Sequence, residues 1–320
     1  MKKIFLISTV LLAILLLLPL SVLEDSQKTV NALTTPTAAT VDEPVTNPPE
    51  TFKVLIRATN EIKEMPVEDY LFGVVAGEMP ALYEEEALKA QAVCAYTFAL
   101  WRQKGNSDKN YDISDDYTTD QCYITAEIAR EKWGSKANEY ESKIRNAIAE
   151  VKNERLTYNG EIILSVYHAV SSGTTESAKN VWGKDYPYLQ AVSSIGDKLA
   201  NNYISSADLT AEQVCSKLSV NQNESANGFT DFTRTASGTV KTVKFGGKEF
   251  KGSQIREAFD LKSSNFEVAL KDNSYTFTVY GYGHGVGMSQ NGANYMAQQG
   301  SSYEEILKHY YTGCQIIRNS

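Results

Sequence analysis

Apolar and polar residues fall into sharply different patterns along the 320 positions of the chain. Ile4 to Leu23 is rich in leucine and holds no charged residue. A run of that length suffices for a helix across a hydrocarbon core of roughly 30 Å. Lys2 and Lys3 precede it, which sets the N-terminus on the cytoplasmic side. Leu20-Ser21-Val22-Leu23 lacks the small-x-small pattern of a signal-peptide cleavage site, so an uncleaved anchor over 1–23 is expected, with the remainder exported. Residues 24–52 show no apolar period and contain Pro36, Pro44, Pro48 and Pro49, the pattern of an extended tether.

From residue 53 onward the pattern is that of folded elements. Lys53-Val54-Leu55-Ile56-Arg57 is expected as a first strand. Apolar positions at helical spacing follow Pro66 from Val67 to Ala76, with Gly77 as the expected stop. A second helix is expected over 83–103, opened by Glu84, Glu85 and Glu86 and rich in alanine, which lets a neighbouring backbone come close. A third spans 138–154. Asn159-Gly160 joins Leu156–Tyr158 to an apolar run over 161–170, the signal of a hairpin with a type I′ turn. Further strands fall at 240–245 and 275–280, and closing helices at 289–299 and 303–311. No repeat of fixed period interrupts this order. The expectation is an α+β fold, mixed but mainly antiparallel sheet with packed helices, as a single large exported domain over 53–320 with a substrate cleft.

Composition narrows the partners. The chain is 42% hydrophobic and 22% charged, an ordinary globular balance. Its 31 Lys and Arg against 39 Asp and Glu give a net charge of −8. That disfavours nucleic acid, which needs a basic surface. Nineteen tyrosines supply aromatic faces of the kind that stack on sugars. Cys94, Cys122, Cys215 and Cys314 are too few for a disulfide scaffold and too dispersed for a metal site, so neither is expected.

Three stretches carry candidate chemistry. Gly77-Glu78-Met79-Pro80 puts a carboxylate at a helix end, where partial negative charge favours its protonated form. A glutamate held protonated near neutral pH suits a general acid for glycosidic cleavage, and a local backbone cap is the alternative role. Gly281 to Gly287 sets His284 among glycines at alternate positions, which lets a ligand or another segment lie against the backbone. The spacing is neither the dinucleotide fingerprint nor a phosphate loop. Val166 to Glu176 runs as a strand into a hydroxyl-rich turn whose side chains either bond sugar hydroxyls or cap the next segment. A serine hydrolase would draw on His168 or His284 with Ser171 or Ser289, but no nucleophile elbow supports one.

The stretch from Tyr70-Leu71 through Gly73-Val74-Val75-Ala76-Gly77-Glu78-Met79-Pro80-Ala81, continuing as Glu86-Ala87-Leu88-Lys89-Ala90-Gln91-Ala92-Val93, resembles the catalytic stretch of the stage II sporulation protein D (SpoIID) family. So do Ser171 to Glu176, Val181-Trp182-Gly183 with Pro187-Tyr188-Leu189, Gly283 to Gln290, and Ile306 to Gly313, all in the family's order over roughly residues 53 to 316. These are the peptidoglycan lytic transglycosylases of endospore-forming bacteria. The resemblance implies cleavage between N-acetylmuramic acid and N-acetylglucosamine, with Glu78 as acid and then base and a 1,6-anhydro product. It implies glycan strands already stripped of stem peptides by the amidase SpoIIP, and work with SpoIIP and SpoIIM in forespore engulfment. The place would be the cell membrane, with the catalytic domain on the outer face between mother cell and forespore. Substrate contacts are expected from Gln91, His168, Ser171, Ser172, Thr174, His284, Ser289 and Gln290. The family often has Ser-Gly-Gly at Ser171-Ser172-Gly173. Some members bind zinc, but Cys122 lacks companion ligands here, so no metal and no cofactor is carried over. The rival readings are a non-catalytic glycan-binding scaffold, and a water-using muramidase with Asp69, Asp120 or Glu176 as the second carboxylate.

Overall fold

A computed structural model describes residues 48–225 and 227–318. The expected anchor and most of the tether lie outside the described residues. Strand β1 (Thr51–Ile56) buries Phe52 and Val54 while Lys53 faces solvent, and it pairs antiparallel with β2 (Glu61–Pro66). Helix α1 (Val67–Glu78) starts directly after Pro66 and buries Val67 and Tyr70 through Ala76. It does not stop at Gly77. Pro80 instead drives the preceding Met79 into extended backbone, φ −118 and ψ 144, which ends the helix at Glu78.

Helix α2 (Glu85–Gly105) buries every residue from Ala87 to Leu100, so it is enclosed on all sides. Its alanines admit close neighbours, among them α1, the strand Arg155–Tyr158 and the helices Ala137–Glu150, Gln290–Gln298 and Tyr303–Tyr310. The chain reaches them through β3 (Ile113–Ser114), parallel to β1, α3 (Ala126–Trp133), capped by Thr125, and α4 (Ala137–Glu150). The hairpin of β4 (Arg155–Tyr158) and β5 (Glu161–Ile162) turns at Asn159 and Gly160, whose φ values of 52 and 85 match the expected type I′ turn. The run after Asn-Gly is not a long strand. Leu164 N–H donates to the Tyr188 hydroxyl and Ser165 Oγ to the Cys94 carbonyl, so the buried backbone leaves the ladder. Pairing resumes at β6 (Tyr167–His168).

After α5 (Ala178–Trp182) the chain enters a second core that periodicity had registered only as two strands. It comprises β7 (Ile204–Thr210), α6 (Ala211–Leu218), β8 (Phe229–Arg234), β9 (Val240–Phe245), β10 (Lys248–Lys251), α7 (Gly252–Ala258), β11 (Phe266–Lys271) and β12 (Ser274–Tyr280). Two antiparallel sheets, ordered β10-β9-β8 and β11-β12-β7, close on Phe245, Phe266, Tyr275 and Phe277. The chain then returns to the helical core through β13 (Met288–Ser289), parallel to β6, α8 (Gln290–Gln298), α9 (Tyr303–Tyr310) and β14 (Gln315–Ile317), which pairs with β4. The architecture is α+β with mostly antiparallel sheets, as expected, and the parallel pairs β1–β3 and β6–β13 make it mixed.

Candidate active site

The end of α1 is shaped by two glycines one turn apart. A Cβ at Gly73 would lie 2.2 Å from the Tyr123 ring, and one at Gly77 3.1 Å from Cys122 Sγ. Their bare face lets residues 122–124 lie against the helix, with Ile124 N–H donating to the Gly73 carbonyl. That contact delivers the Cys122 amide to Glu78 Oε1 at 2.9 Å. From other elements, Tyr167 of β6 brings its hydroxyl to 3.4 Å from the same oxygen, and Gln290, first residue of α8, brings Nε2 to 3.4 Å from Oε2.

Burial holds the Glu78 carboxyl above its ordinary pKa, and the three hydrogen-bond donors offset this only in part. The main cause is thus desolvation rather than the helix-end charge the spacing suggests. No cation pairs with Glu78 among the described residues. The donors are neutral and themselves tethered. Tyr167 donates to Gln121 Oε1 at 2.8 Å, and Gln121 donates to the Tyr70 hydroxyl at 2.9 Å. Gln290 Nε2 is also 3.4 Å from Oε1 of Gln91, a fully buried side chain whose own Nε2 has no partner among the described residues.

Glu78 opens onto a cavity of about 470 Å³, a size usual for small-molecule clefts. Gln121, Tyr167, His168, His284 and Gln290 line it with Glu78, and the exposed rings of Tyr117 and Tyr282 stand at its edge. Both imidazoles are held neutral. Burial lowers His168, whose Nδ1–H then donates to the Val286 carbonyl at 3.1 Å, leaving a buried Nε2 lone pair without a partner among the described residues. His284 is lowered to about 3 by burial, by its electrostatic coupling to the neighbouring His168 and by the charge of Arg256. Its Nδ1 accepts the Val286 amide, and its ring packs 5.2 Å from that of Trp182. The glycines around His284 make room for another chain segment. Gly287 has φ +73, and a Cβ there would lie 2.0 Å from the Val166 carbonyl beside Tyr167.

The expected contact residues therefore separate. Glu78, His168, His284 and Gln290 meet at the cavity, with Gln91 behind Gln290. Ser171, Ser172, Thr174 and Ser289 are not among its lining residues. Ser171 and Ser289 converge on Asp197, a fully buried carboxylate that sequence reasoning missed. The Ser171 amide donates to Oδ2 at 2.8 Å and the Ser289 hydroxyl to Oδ1 at 2.7 Å. Ser289 Oγ also caps α8 by accepting from Gly292 N–H. Ser172 donates to the Ser237 carbonyl of the second core, and Thr174 bridges Ser193. No serine hydroxyl bonds a histidine among the described residues, where His309 Nε2 meets only the Ser193 carbonyl, so a Ser-His-Asp constellation is not assembled. Tyr167, Gln121 and Tyr117 also went unread, two of them in a loop without periodic pattern. Tyr167 had one available signal, its place beside His168.

The other carboxylates differ from Glu78. Asp120 lines the cavity but is tied to Arg102 and to the Ser114 amide at 3.0 Å. Asp69 pairs with Arg145 at the surface, and Glu176 is buried against Thr235 and Asn180. Cys122 belongs to no group of three or more His, Cys, Asp or Glu able to hold a metal among the described residues, so the side chains present do not form a zinc site. What remains is one readily protonated carboxyl in a cavity walled by amides, phenols and neutral imidazoles.

Fold and site thus define an α+β protein with a glutamate of raised pKa at a polar, tyrosine-edged cavity. Residues 56–158 match the model of the SpoIID family, described as Stage II sporulation protein. The chain is 36% identical to Stage II sporulation protein D of Bacillus subtilis over 91% of its own length and 85% of that protein's. Against the protein of the same name from Bacillus amyloliquefaciens it is 36% identical over 84% of this chain and 79% of the other. A B. subtilis protein named Amidase enhancer is 31% identical over 76% of this chain but 39% of its own length. The chain belongs to the stage II sporulation protein D family.

Proposed function

We propose that this protein is a peptidoglycan lytic transglycosylase acting on peptide-free glycan strands, with Glu78 as its single acid and base. The observation that carries the reading is the position of Glu78: a carboxyl with a raised pKa, open to a cavity and held only by neutral donors. In the protonated form Glu78 gives its proton to the glycosidic oxygen as the bond from C1 of N-acetylmuramic acid breaks. The resulting carboxylate takes the proton of that sugar's 6-hydroxyl, whose oxygen bonds C1 and closes the 1,6-anhydro ring. Protons balance, no water is consumed, and no second carboxylate is needed. The Cys122 amide, Gln290 and Tyr167 stabilise the carboxylate between the two transfers. His284 and Gln290 are placed to bond sugar hydroxyls, with Tyr117 and Tyr282 as stacking faces.

Family membership supports a role in sporulation, in forespore engulfment. The Amidase enhancer relative supports work beside an amidase such as SpoIIP, with the membrane protein SpoIIM as a further partner. The residues before 48 would anchor the domain to the outer face of the membrane.

Asp120, on the same cavity wall, favours a second reading in which it directs water and the protein is a muramidase. Product analysis on peptide-free strands decides. Anhydro ends from wild type and none from Glu78→Gln support the transglycosylase. Reducing ends would make it a hydrolase, and undiminished cleavage by Glu78→Gln would remove Glu78 from the mechanism. A protein that binds strands and cleaves none is the scaffold.

A further inference from the structure

The cavity lining includes the carboxylates of Glu78 and Asp120 but no lysine or arginine. Two cations stand beside its Tyr282–His284 wall, both supplied by the second core. Lys262 holds its ammonium 4.9 Å from the centre of the Tyr282 ring, and its carbonyl accepts the Gly283 amide at 3.0 Å. Arg256, on α7, donates from Nε to the carbonyl of Leu261, the residue before Lys262, at 3.3 Å. These are the contacts the two side chains make, and neither has an ion pair among the described residues. Arg256 is nonetheless half-buried, and its charge helps hold His168 and His284 neutral. Asp260 raises it electrostatically but makes no ion pair with it. A partly desolvated guanidinium without an ion-paired partner is an unfavourable arrangement, the more so in a chain with eight surplus negative charges. It calls for an anion from outside.

We propose that Arg256 and Lys262 form a carboxylate subsite at the Tyr282 rim, which receives the lactyl carboxylate of a muramic acid whose stem peptide has been removed. The inference rests on the glycan-cleaving function proposed above and supplies its selectivity. While a peptide is attached, the lactyl carbonyl belongs to a neutral amide. Hydrolysis of that amide leaves a carboxylate that is ionised at neutral pH. A guanidinium engages a carboxylate through two parallel charge-assisted hydrogen bonds, which an amide oxygen cannot match. The charge on the sugar thus records that amide hydrolysis came first, and that is the class of reaction that must supply this substrate.

The test compares three substrates: peptide-free strands, the same strands with lactyl carboxylates coupled to methylamine as neutral amides, and peptide-bearing strands. Wild type is expected to cleave the first at least about tenfold faster than the second in kcat/KM, the effect of about 1.4 kcal/mol. In Arg256→Gln with Lys262→Gln that preference should fall to near one, chiefly through KM. Lys262 is exposed, so Lys262→Gln alone should fold and already narrow the preference. Equal cleavage of intact and amidated strands by wild type, or a preference that survives in the double variant, overturns the subsite. A preference for peptide-bearing strands also overturns it and assigns the cations to stem-peptide carboxylates. If wild type cleaves no strand, the catalytic reading fails by itself. The ratio of dissociation constants for intact and amidated strands then decides the subsite, and a ratio near one sinks it.

Discussion

Replacing Ser289 by alanine separates a structural hydroxyl from a sugar-binding one. The side chain is fully buried, caps α8 through Gly292 N–H at 3.1 Å, and donates to Asp197 Oδ1 at 2.7 Å. Loss of an N-cap costs about 1 kcal/mol. Loss of a hydrogen bond to a buried carboxylate costs about 1.5–3 kcal/mol, since Asp197 would keep only the Ser171 amide and the longer 3.4 Å contact from Asn291. Together they destabilise the helical core by roughly 2.5–4 kcal/mol, a fall in Tm of about 5 °C or more. The three tryptophans, Trp101, Trp133 and Trp182, all pack against that core, so their fluorescence follows its unfolding without a tryptophan signal from the second one. Gln290 follows directly in the chain, so glycan cleavage should fall as well. If Ser289→Ala leaves the fluorescence midpoint within about 0.5 kcal/mol of wild type and raises only KM, Ser289 serves the sugar and the assignment to Asp197 is wrong.

Other substitutions probe other links. Because burial raises the Glu78 pKa, the native state holds that proton more tightly than the unfolded chain. Its contribution to stability is therefore lost as pH rises from the usual glutamate range through the folded pKa, and Glu78→Gln should remove that slope and melt above wild type at neutral pH. A calorimetric series over pH showing parallel curves would contradict it. Gly73→Ala sets two effects against each other: helix propensity favours alanine by about 1 kcal/mol, whereas its Cβ would meet the Tyr123 ring at 2.2 Å and the Ile124 carbonyl at 2.6 Å. The clash should win, with lowered stability and activity, and a stabilised, fully active variant would mean that residues 122–124 do not need to lie on α1. Phe277→Ala empties the centre of the second core at about 3–5 kcal/mol. Circular dichroism should record an early transition there, and a fluorescence midpoint that drops equally would show that the two cores unfold together.

What the sequence revealed follows from how local each signal is. Helices α1, α2, α4, α8 and α9 were legible because their apolar spacing is self-contained, whereas α3, α5, α6 and α7 went unread, and Asn159-Gly160 announced its turn through two residues that accept positive φ. The end of α1 was misplaced by one glycine. Gly77 looked like a stop, but Pro80 acts through Met79, and Gly77 is bare because Cys122 lies against it. Most of the second core escaped notice. Phe229–Arg234 and Lys248–Lys251 bury no residue fully and so show little apolar alternation, and its strands are set by cross-strand partners far apart in sequence, such as Tyr275 opposite Leu209. Glu78, His168, His284 and Gln290 were marked by motifs that resemble a family's. Ser171 and Ser289 were marked by the same motifs, yet the structure gives them to Asp197, and no local pattern distinguishes a hydroxyl that faces a cavity from one that faces a buried carboxylate.

That division bears on why Glu78 is the carboxylate proposed for chemistry among the described acidic residues near the cavity. Asp197 is fully buried, but its oxygens are occupied by the Ser171 amide and the Ser289 hydroxyl, so it fixes the start of α8 and with it Gln290. Asp120 reaches the cavity wall, but its oxygens are taken up by Arg102 and the Ser114 amide. Glu78 has burial without a cation, and donors at 3.4 Å that are long for hydrogen bonds. Burial alone would make its ionised form too costly, and a nearby arginine would make its protonated form too rare. The cations of this region stand elsewhere: Arg102 pairs with Asp120, Lys262 lies over the Tyr282 ring, and Arg256 adds to the burial that lowers His168 and His284. In the proposed reaction the acid must first give and then recover a proton, and burial without an ion pair is the setting that would suit Glu78 to it.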